Sequence, residues 1–124
     1  MTWVLDNNMP IYLQLMGRIQ RDIISGRYGP GDKLPSVREL AVEAAVNPNT
    51  MQKAMSELER SGLVYSQRTS GRFITEDEEL LKELKKEQAA RYLEEFIESM
   101  HNLGLKNDEI RILFEDAMKG EKEE

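Results

Sequence analysis

The stretch Pro30-Gly-Asp-Lys-Leu-Pro-Ser-Val-Arg-Glu-Leu-Ala41 decides the fold, together with Val46-Asn-Pro-Asn-Thr-Met-Gln-Lys53, which follows four residues later. Ser36 stands three residues before Glu39. This is the spacing of a capping box, in which the two residues satisfy each other's backbone N–H groups at a helix start. The stretch therefore predicts a helix from about Ser36 to Ala44, followed by a tight turn.

The second half of the stretch predicts a helix with one apolar and one polar face. Asn47 is a candidate N-cap, and Pro48 occupies the first helical position, where its missing N–H costs nothing. Apolar residues recur on one face at helical spacing: Met51, Ala54, Met55 and Leu58. The other face carries Asn49, Thr50 and Lys53, with Gln52 at its border. A short helix that is packed on one side and polar on the other suits the major groove of DNA.

A β-hairpin is predicted directly after this helix. Residues 63–66 and 72–75 are apolar or β-branched, and a polar segment that ends at Gly71 joins them. Arg68 and Arg72 flank Gly71 and could reach DNA phosphates or the minor groove. The alternative interpretation is an ordinary hairpin with solubilising arginines.

These motifs resemble the winged helix-turn-helix of GntR-family transcriptional repressors. The resemblance rests on Leu-Pro-Ser-Val-Arg-Glu-Leu-Ala, Val-Asn-Pro-Asn-Thr and Glu-Leu-Glu-Arg-Ser-Gly-Leu-Val in this order, and it covers about residues 3–75. The segment 9–15 and the short chain resemble the YtrA-type subgroup. The resemblance implies double-stranded DNA as a partner, repression as the activity, and a DNA contact by Arg38, because matching family members place an arginine there. Ala44 and Ala45 depart from the leucine and the frequent glycine of the family.

The candidate DNA-binding residues come from the two helix starts, the recognition helix and the hairpin. They are Ser36, Arg38, Asn47, Asn49, Thr50, Gln52, Lys53, Arg68, Gly71 and Arg72.

The net charge of −6 is divided unevenly along the chain. Residues 1–75 hold nine Lys/Arg and seven Asp/Glu, a balance of +2, whereas residues 76–124 hold eight and sixteen, a balance of −8. Nucleic-acid binding requires positive charge where the contact is made. The asymmetry therefore predicts a DNA-binding first half and an acidic second half that does not contact DNA.

Residues 76–119 predict two helices with more apolar surface than two helices can bury against each other. The first runs to about Leu103, where Gly104 and Leu105 are typical of a Schellman ending. Asn107 is the predicted N-cap of the second, whose inward residues are Ile110, Leu113, Phe114, Ala117 and Met118.

A symmetric dimer would cover the excess apolar face of these helices. The predicted dimerisation residues are Leu84, Tyr92, Leu93, Phe96, Ile97 and Met100. The alternative is a helical hairpin that folds back onto its own winged helix.

The predicted fold class is mostly α with a small β-wing. A winged helix-turn-helix is expected at 1–75, a two-helix dimerisation tail at 76–119 and a frayed terminus at 120–124. Residues 3–6 form either a short strand or an extended arm.

Enzymatic, metal and membrane functions find little support in the sequence. The single histidine and the lack of cysteine exclude the common nucleophilic sets, and Glu98-x-x-His101 has no second motif to complete a metal site. We therefore predict no enzyme, no cofactor and no metal. No membrane span or signal peptide is expected, which favours the cytoplasm.

Two other classes of function remain open at this stage. One is a winged helix that binds proteins, and the other is a sensor with a small-molecule effector between the tail helices.

Overall fold

The helices predicted from residue 36 onward and the hairpin follow one another along the chain as expected, and a further helix precedes them. In this computed structural model, which describes residues 3–120, there are five α-helices and one two-stranded antiparallel sheet. The elements are α1 (Ile11–Ile24), α2 (Val37–Ala44), α3 (Pro48–Arg60), β1 (Val64–Gln67), β2 (Gly71–Ile74), α4 (Glu78–Asn102) and α5 (Asn107–Gly120). The predicted fold class is confirmed.

Two units can be distinguished by their internal packing, Met1–Lys85 and Lys86–Glu124. Helix α4 starts in the first unit, where Leu81 and Leu84 pack against the core, and it continues into the second. Leu84 is thus half-buried in the N-terminal unit, and its place in a dimer stays a prediction. None of the helices described between residues 3 and 120 is long and apolar enough to cross a membrane.

The core of the N-terminal unit is formed by one apolar stripe from each of its helices. On α3 the predicted stripe is confirmed, since Met51, Ala54, Met55 and Leu58 are each at most 1% exposed. The stripe packs against α1, α2, the hairpin and the residues that lead into them. These parts contribute the following buried residues: Leu15, Ile19, Ile23, Leu34, Leu40, Ala41, Ala44, Leu63, Val64 and Ile74. Each large side chain buried in this way contributes roughly 1.5–3 kcal/mol to stability. The packing presents the opposite, polar face of α3 to solvent.

Both predicted helix starts have the expected caps. Ser36 Oγ accepts a hydrogen bond from Glu39 N at 3.1 Å, and Glu39 Oε1 accepts one from Ser36 N at 2.8 Å. Asn47 Oδ1 accepts a hydrogen bond from Asn49 N at 2.7 Å. Ala45 ends α2 in the left-handed region at φ +61°, which costs a non-glycine residue about 1–2 kcal/mol. The turn between α2 and α3 therefore uses the left-handed conformation without a glycine.

The hairpin forms the wing, with bounds shifted by one residue from the prediction. Val64 pairs with Ile74, and Gln67 pairs with Gly71, so β1 and β2 are 64–67 and 71–74 rather than 63–66 and 72–75. A 3-10 turn over Arg68–Ser70 joins them. The strands shift because pairing across the turn, rather than apolar character, decides which residues belong to the ladder.

Residues 3–6 belong to no strand and form an arm, followed by a bend at 7–9, which decides between the two alternatives for residues 3–6. Trp3 is buried, and its Nε1 donates a hydrogen bond to Glu43 Oε2 at 3.1 Å. The Arg18 guanidinium lies 4.5 Å from the centre of the indole ring. This cation–π contact and the hydrogen bond hold the arm against α1 and α2.

In the C-terminal unit, the end of α4 is as predicted and the start of α5 is not. Leu105 N donates to Met100 O at 3.2 Å and Gly104 N to His101 O at 2.9 Å, which is the Schellman pattern. The N-cap position of α5 is Lys106, whose N–H donates to Glu109 Oε1 at 2.9 Å.

Asn107, the predicted N-cap, is instead the first helical residue of α5. Its Oδ1 lies 2.7 Å from His101 Nε2, so this histidine pairs with an amide. Helix α5 includes Gly120, which the prediction placed in the frayed terminus, and residues 121–124 lie outside the described part of the chain.

Most apolar side chains of the C-terminal unit are exposed in the single chain. Among its residues up to 120, only Ile110 is buried. The inward orientation predicted for Leu113, Phe114 and Met118 is wrong for the single chain, because they are 46, 45 and 53% exposed. Between α4 and α5, Phe96 and Phe114 approach to 6.2 Å between ring centres.

Candidate nucleic-acid interface

The polar face of α3 begins at its N-terminal end. Asn49 is exposed and Thr50 is half-buried there. Gln52 Nε2 donates to Ser56 Oγ at 3.2 Å, and the Lys53 ammonium lies 4.0 Å from the centre of the Tyr12 ring. The structure therefore places all four predicted residues of this helix on the solvent side, with Lys53 held against α1 by a cation–π contact.

Ser36 and Asn47, both predicted to contact DNA, also act as helix N-caps. Their side-chain oxygens accept the capping hydrogen bonds that start α2 and α3. Removing an N-cap of this kind costs about 1 kcal/mol. Their contact with DNA stays a prediction.

A groove separates the start of α2 from the tip of the wing. Its volume is about 470 Å³, and the predicted residues that line it are Ser36, Arg38, Gly71 and Arg72. Lys33, Thr69 and Ser70 line it as well and were not singled out from the sequence. Arg68 lies in the 3-10 turn at the wing tip and is exposed, as is Arg38. The structure thus brings half of the predicted residues to this groove and the adjoining wing tip.

Arg72 forms an ion pair within the protein. Its Nε lies 3.1 Å from Glu59 Oε1, which ties β2 to α3, and its side chain is only 23% exposed. A hydrogen bond from the Ser66 hydroxyl lowers the pKa of Glu59, and the Arg72 guanidinium lowers it further. The predicted contact of Arg72 with DNA remains a prediction, and the structure gives this residue a role in positioning the wing.

The Glu59–Arg72 pair predicts a pH-dependent contribution to stability. Because the pKa of Glu59 is lowered in the folded state, this contribution is present above the ordinary carboxyl pKa and is lost as the pH falls through the lowered value. Between about pH 5 and pH 3, the unfolding free energy of the wild type should fall more than that of Arg72→Gln. We expect a difference of a few tenths of a kcal/mol, since the pair is partly exposed. Urea unfolding at several pH values measures this.

Arg60→Gln is the matched control for this measurement. Arg60 is 79% exposed and its nitrogen lies 3.9 Å from Glu57, so its pair is more weakly held. Identical pH profiles for the wild type and Arg72→Gln would contradict the assignment.

The fold and this face agree with a known family. Residues 11–74 match the family described as "Bacterial regulatory proteins, gntR family", which is more than half of the chain. The chain belongs to the gntR family.

Two relatives from Bacillus subtilis are similar over most of their length. The HTH-type transcriptional regulator YhcF is 44% identical over 104 residues, which are 84% of this chain and 86% of YhcF. The HTH-type transcriptional repressor YtrA is 37% identical over 105 residues, 84% of this chain and 81% of YtrA. The resemblance to the YtrA-type subgroup is thereby confirmed.

Solved structures support the same assignment. A GntR family transcriptional regulator from Listeria monocytogenes superposes with a TM-score of 0.82 at 38% identity, over 90% of this chain and 98% of that one. The DNA-binding domain of AraR, in complex with operator ORX1, superposes with a TM-score of 0.55 at 28% identity, over 58% of this chain and 93% of that one. The chain is therefore a transcriptional regulator with a winged-helix DNA-binding domain, and the prediction that it is not an enzyme is confirmed by its family.

Three residues that line this interface or hold its side chains are not marked by any local sequence pattern: Lys33, Tyr12 and Glu59. Lys33 and Glu59 lie in quoted motifs that do not mark them as site residues, and Tyr12 lies in the segment 9–15. Each acquires its role from a partner at least 13 positions away along the chain, so no local pattern marks it.

Proposed function

We propose that this protein is a sequence-specific transcriptional repressor that binds a palindromic operator as a homodimer, in the cytoplasm where bacterial DNA lies. The observation that carries the proposal is the polar N-terminal end of α3, presented to solvent by a core that buries the opposite face completely. A helix of this kind fits the major groove, and the balance of +2 over residues 1–75 suits a polyanion. The domain organisation proposed is DNA binding by 1–75 and dimerisation by 76–119.

Repression is inferred from a relative. YtrA is named as a repressor, and this chain covers 81% of its length. A small winged-helix protein can repress by occupying an operator, without further machinery.

Dimerisation is inferred from the apolar surface of the C-terminal unit. Tyr92, Leu93 and Ile97 on α4 are 50, 52 and 41% exposed, on one helical face together with the half-buried Phe96 and Met100. An apolar surface of this kind indicates a protein interface. A second copy is the economical partner, because two recognition helices about 34–36 Å apart read two half-sites.

A small-molecule effector is not part of this proposal. The hollow in the C-terminal unit that Ile97, His101 and Ile110 help to line has a volume of about 270 Å³. Ligand pockets usually have a volume of roughly 300–1,000 Å³. A rise in melting temperature on addition of a metabolite would support the interpretation of this protein as a small-molecule sensor.

Selection of duplex DNA from a random pool by the purified chain tests the proposal, with the mass in solution recorded in parallel. We expect a palindromic consensus and the mass of a dimer. Binding without selection would contradict sequence specificity, and a folded protein that does not bind DNA would favour the protein-interaction alternative.

A further inference from the structure

Lys33 belongs to the wing, although it lies in the segment before α2. It pairs with Phe73 of β2 in an antiparallel bridge, and the adjacent Leu34 N donates to Arg72 O at 2.9 Å. Tyr65 lies opposite Phe73 on the other side, and their rings stack with centres 5.8 Å apart. Residues directly opposite each other in an antiparallel pair point to the same face. Lys33, Phe73 and Tyr65 therefore share one face of the wing.

Gly71 lies on this face too, two residues before Phe73 on β2. Its φ of +117° is a conformation that other residues rarely adopt. A methyl group built at Gly71 would lie 3.0 Å from Lys33 Cε and 3.8 Å from Nζ. The missing side chain thus lets the lysine stem lie along the backbone, with its ammonium at the wing tip.

Strand alternation places Arg72, the cation of β2, on the face of the wing opposite to Lys33. Arg72 is adjacent to Gly71 and Phe73 in the chain, so it points to the opposite face, where it binds Glu59 at 3.1 Å. Within residues 3–120, Lys33 forms no ion pair. Arg72 therefore stabilises the fold, whereas Lys33 is available to a ligand.

The Lys33 side chain lines the groove between the wing tip and α2, together with Arg38, Thr69 and Ser70. Glu39 is the acidic residue of this groove, and its carboxylate already accepts the capping hydrogen bond from Ser36 N. Ser36 and Arg72 also line the groove, and Arg72 is paired with Glu59. A groove lined by several cations and hydroxyl groups suits a phosphodiester oxygen. We propose that Lys33 binds a backbone phosphate of duplex DNA beside Arg38. This inference rests on the proposed function.

The test is the salt dependence of DNA binding by the full chain, with the duplex recovered from the random pool and with a scrambled duplex. We expect Lys33→Gln to weaken binding to both duplexes roughly tenfold at 50 mM salt. The slope of log K against log salt should fall in magnitude by about 0.9, so that the deficit shrinks about 3.5-fold by 200 mM. Lys33→Arg, which keeps the charge, should retain the wild-type slope.

Lys86→Gln is the matched control, since it removes the same charge from the acidic C-terminal unit. A wild-type slope for Lys33→Gln, or an equal loss of slope for Lys86→Gln, would overturn the assignment of Lys33 while leaving the proposed function intact. Failure of the wild-type protein to bind any duplex would overturn the proposed function itself.

Discussion

Ile97→Asp is expected to make the protein monomeric and to weaken its binding to a two-half-site operator by about 100-fold or more. Ile97 lies in the middle of the apolar stripe of α4 and is 41% exposed in the single chain. A carboxylate buried there without a partner costs several kcal/mol, which exceeds what a small interface can supply. Loss of the dimer removes the gain from binding two half-sites at once. Analytical ultracentrifugation and titration of the selected duplex measure the two effects.

Ile112→Asp is the matched control, because it makes the same change on α5. Ile112 is 60% exposed and lies two residues from the buried Ile110, on the opposite side of the helix. We expect this variant to stay dimeric, and we expect both variants to bind a single half-site equally. A dimeric Ile97→Asp protein with unchanged operator affinity would refute the proposed interface.

Asn49→Ala is expected to weaken binding to the selected operator by about 1–3 kcal/mol, with little change on random DNA, because an amide can form two hydrogen bonds to the major-groove edge of one base. Thr50→Ala should act in the same direction. Arg38→Ala should instead weaken binding to both kinds of DNA through the loss of a charge-assisted phosphate contact. Affinities for the operator and for a scrambled duplex, measured at one salt concentration, separate the two patterns.

Arg60→Ala is the control for these substitutions. Arg60 is an exposed arginine at the other end of α3, so its removal changes the charge without touching the N-terminal end of the helix. Equal losses of affinity for operator and random DNA in Arg38→Ala, Asn49→Ala and Thr50→Ala would contradict the proposed roles, in which Asn49 and Thr50 contact bases and Arg38 contacts phosphate.

The recognition half of the protein could be predicted closely from local sequence patterns. The capping box of Ser36 and Glu39 and the Asn47–Pro48 start depend on residues within one helical turn. The buried stripe of α3 follows from helical spacing alone. Their order and spacing also identified the family. These features are local, so the sequence by itself determined them.

Only the tertiary structure decided which cations of the wing are engaged. Arg72 and Lys33 are both basic residues that lie close to Gly71 in space. The sequence around each of them does not show which one forms an ion pair. Strand register directs Arg72 to Glu59 on α3 and pairs Lys33 with Phe73, forty positions away. Lys53 is similarly held by Tyr12 of α1. The direction of a side chain depends on register and on distant partners, which a local pattern does not contain.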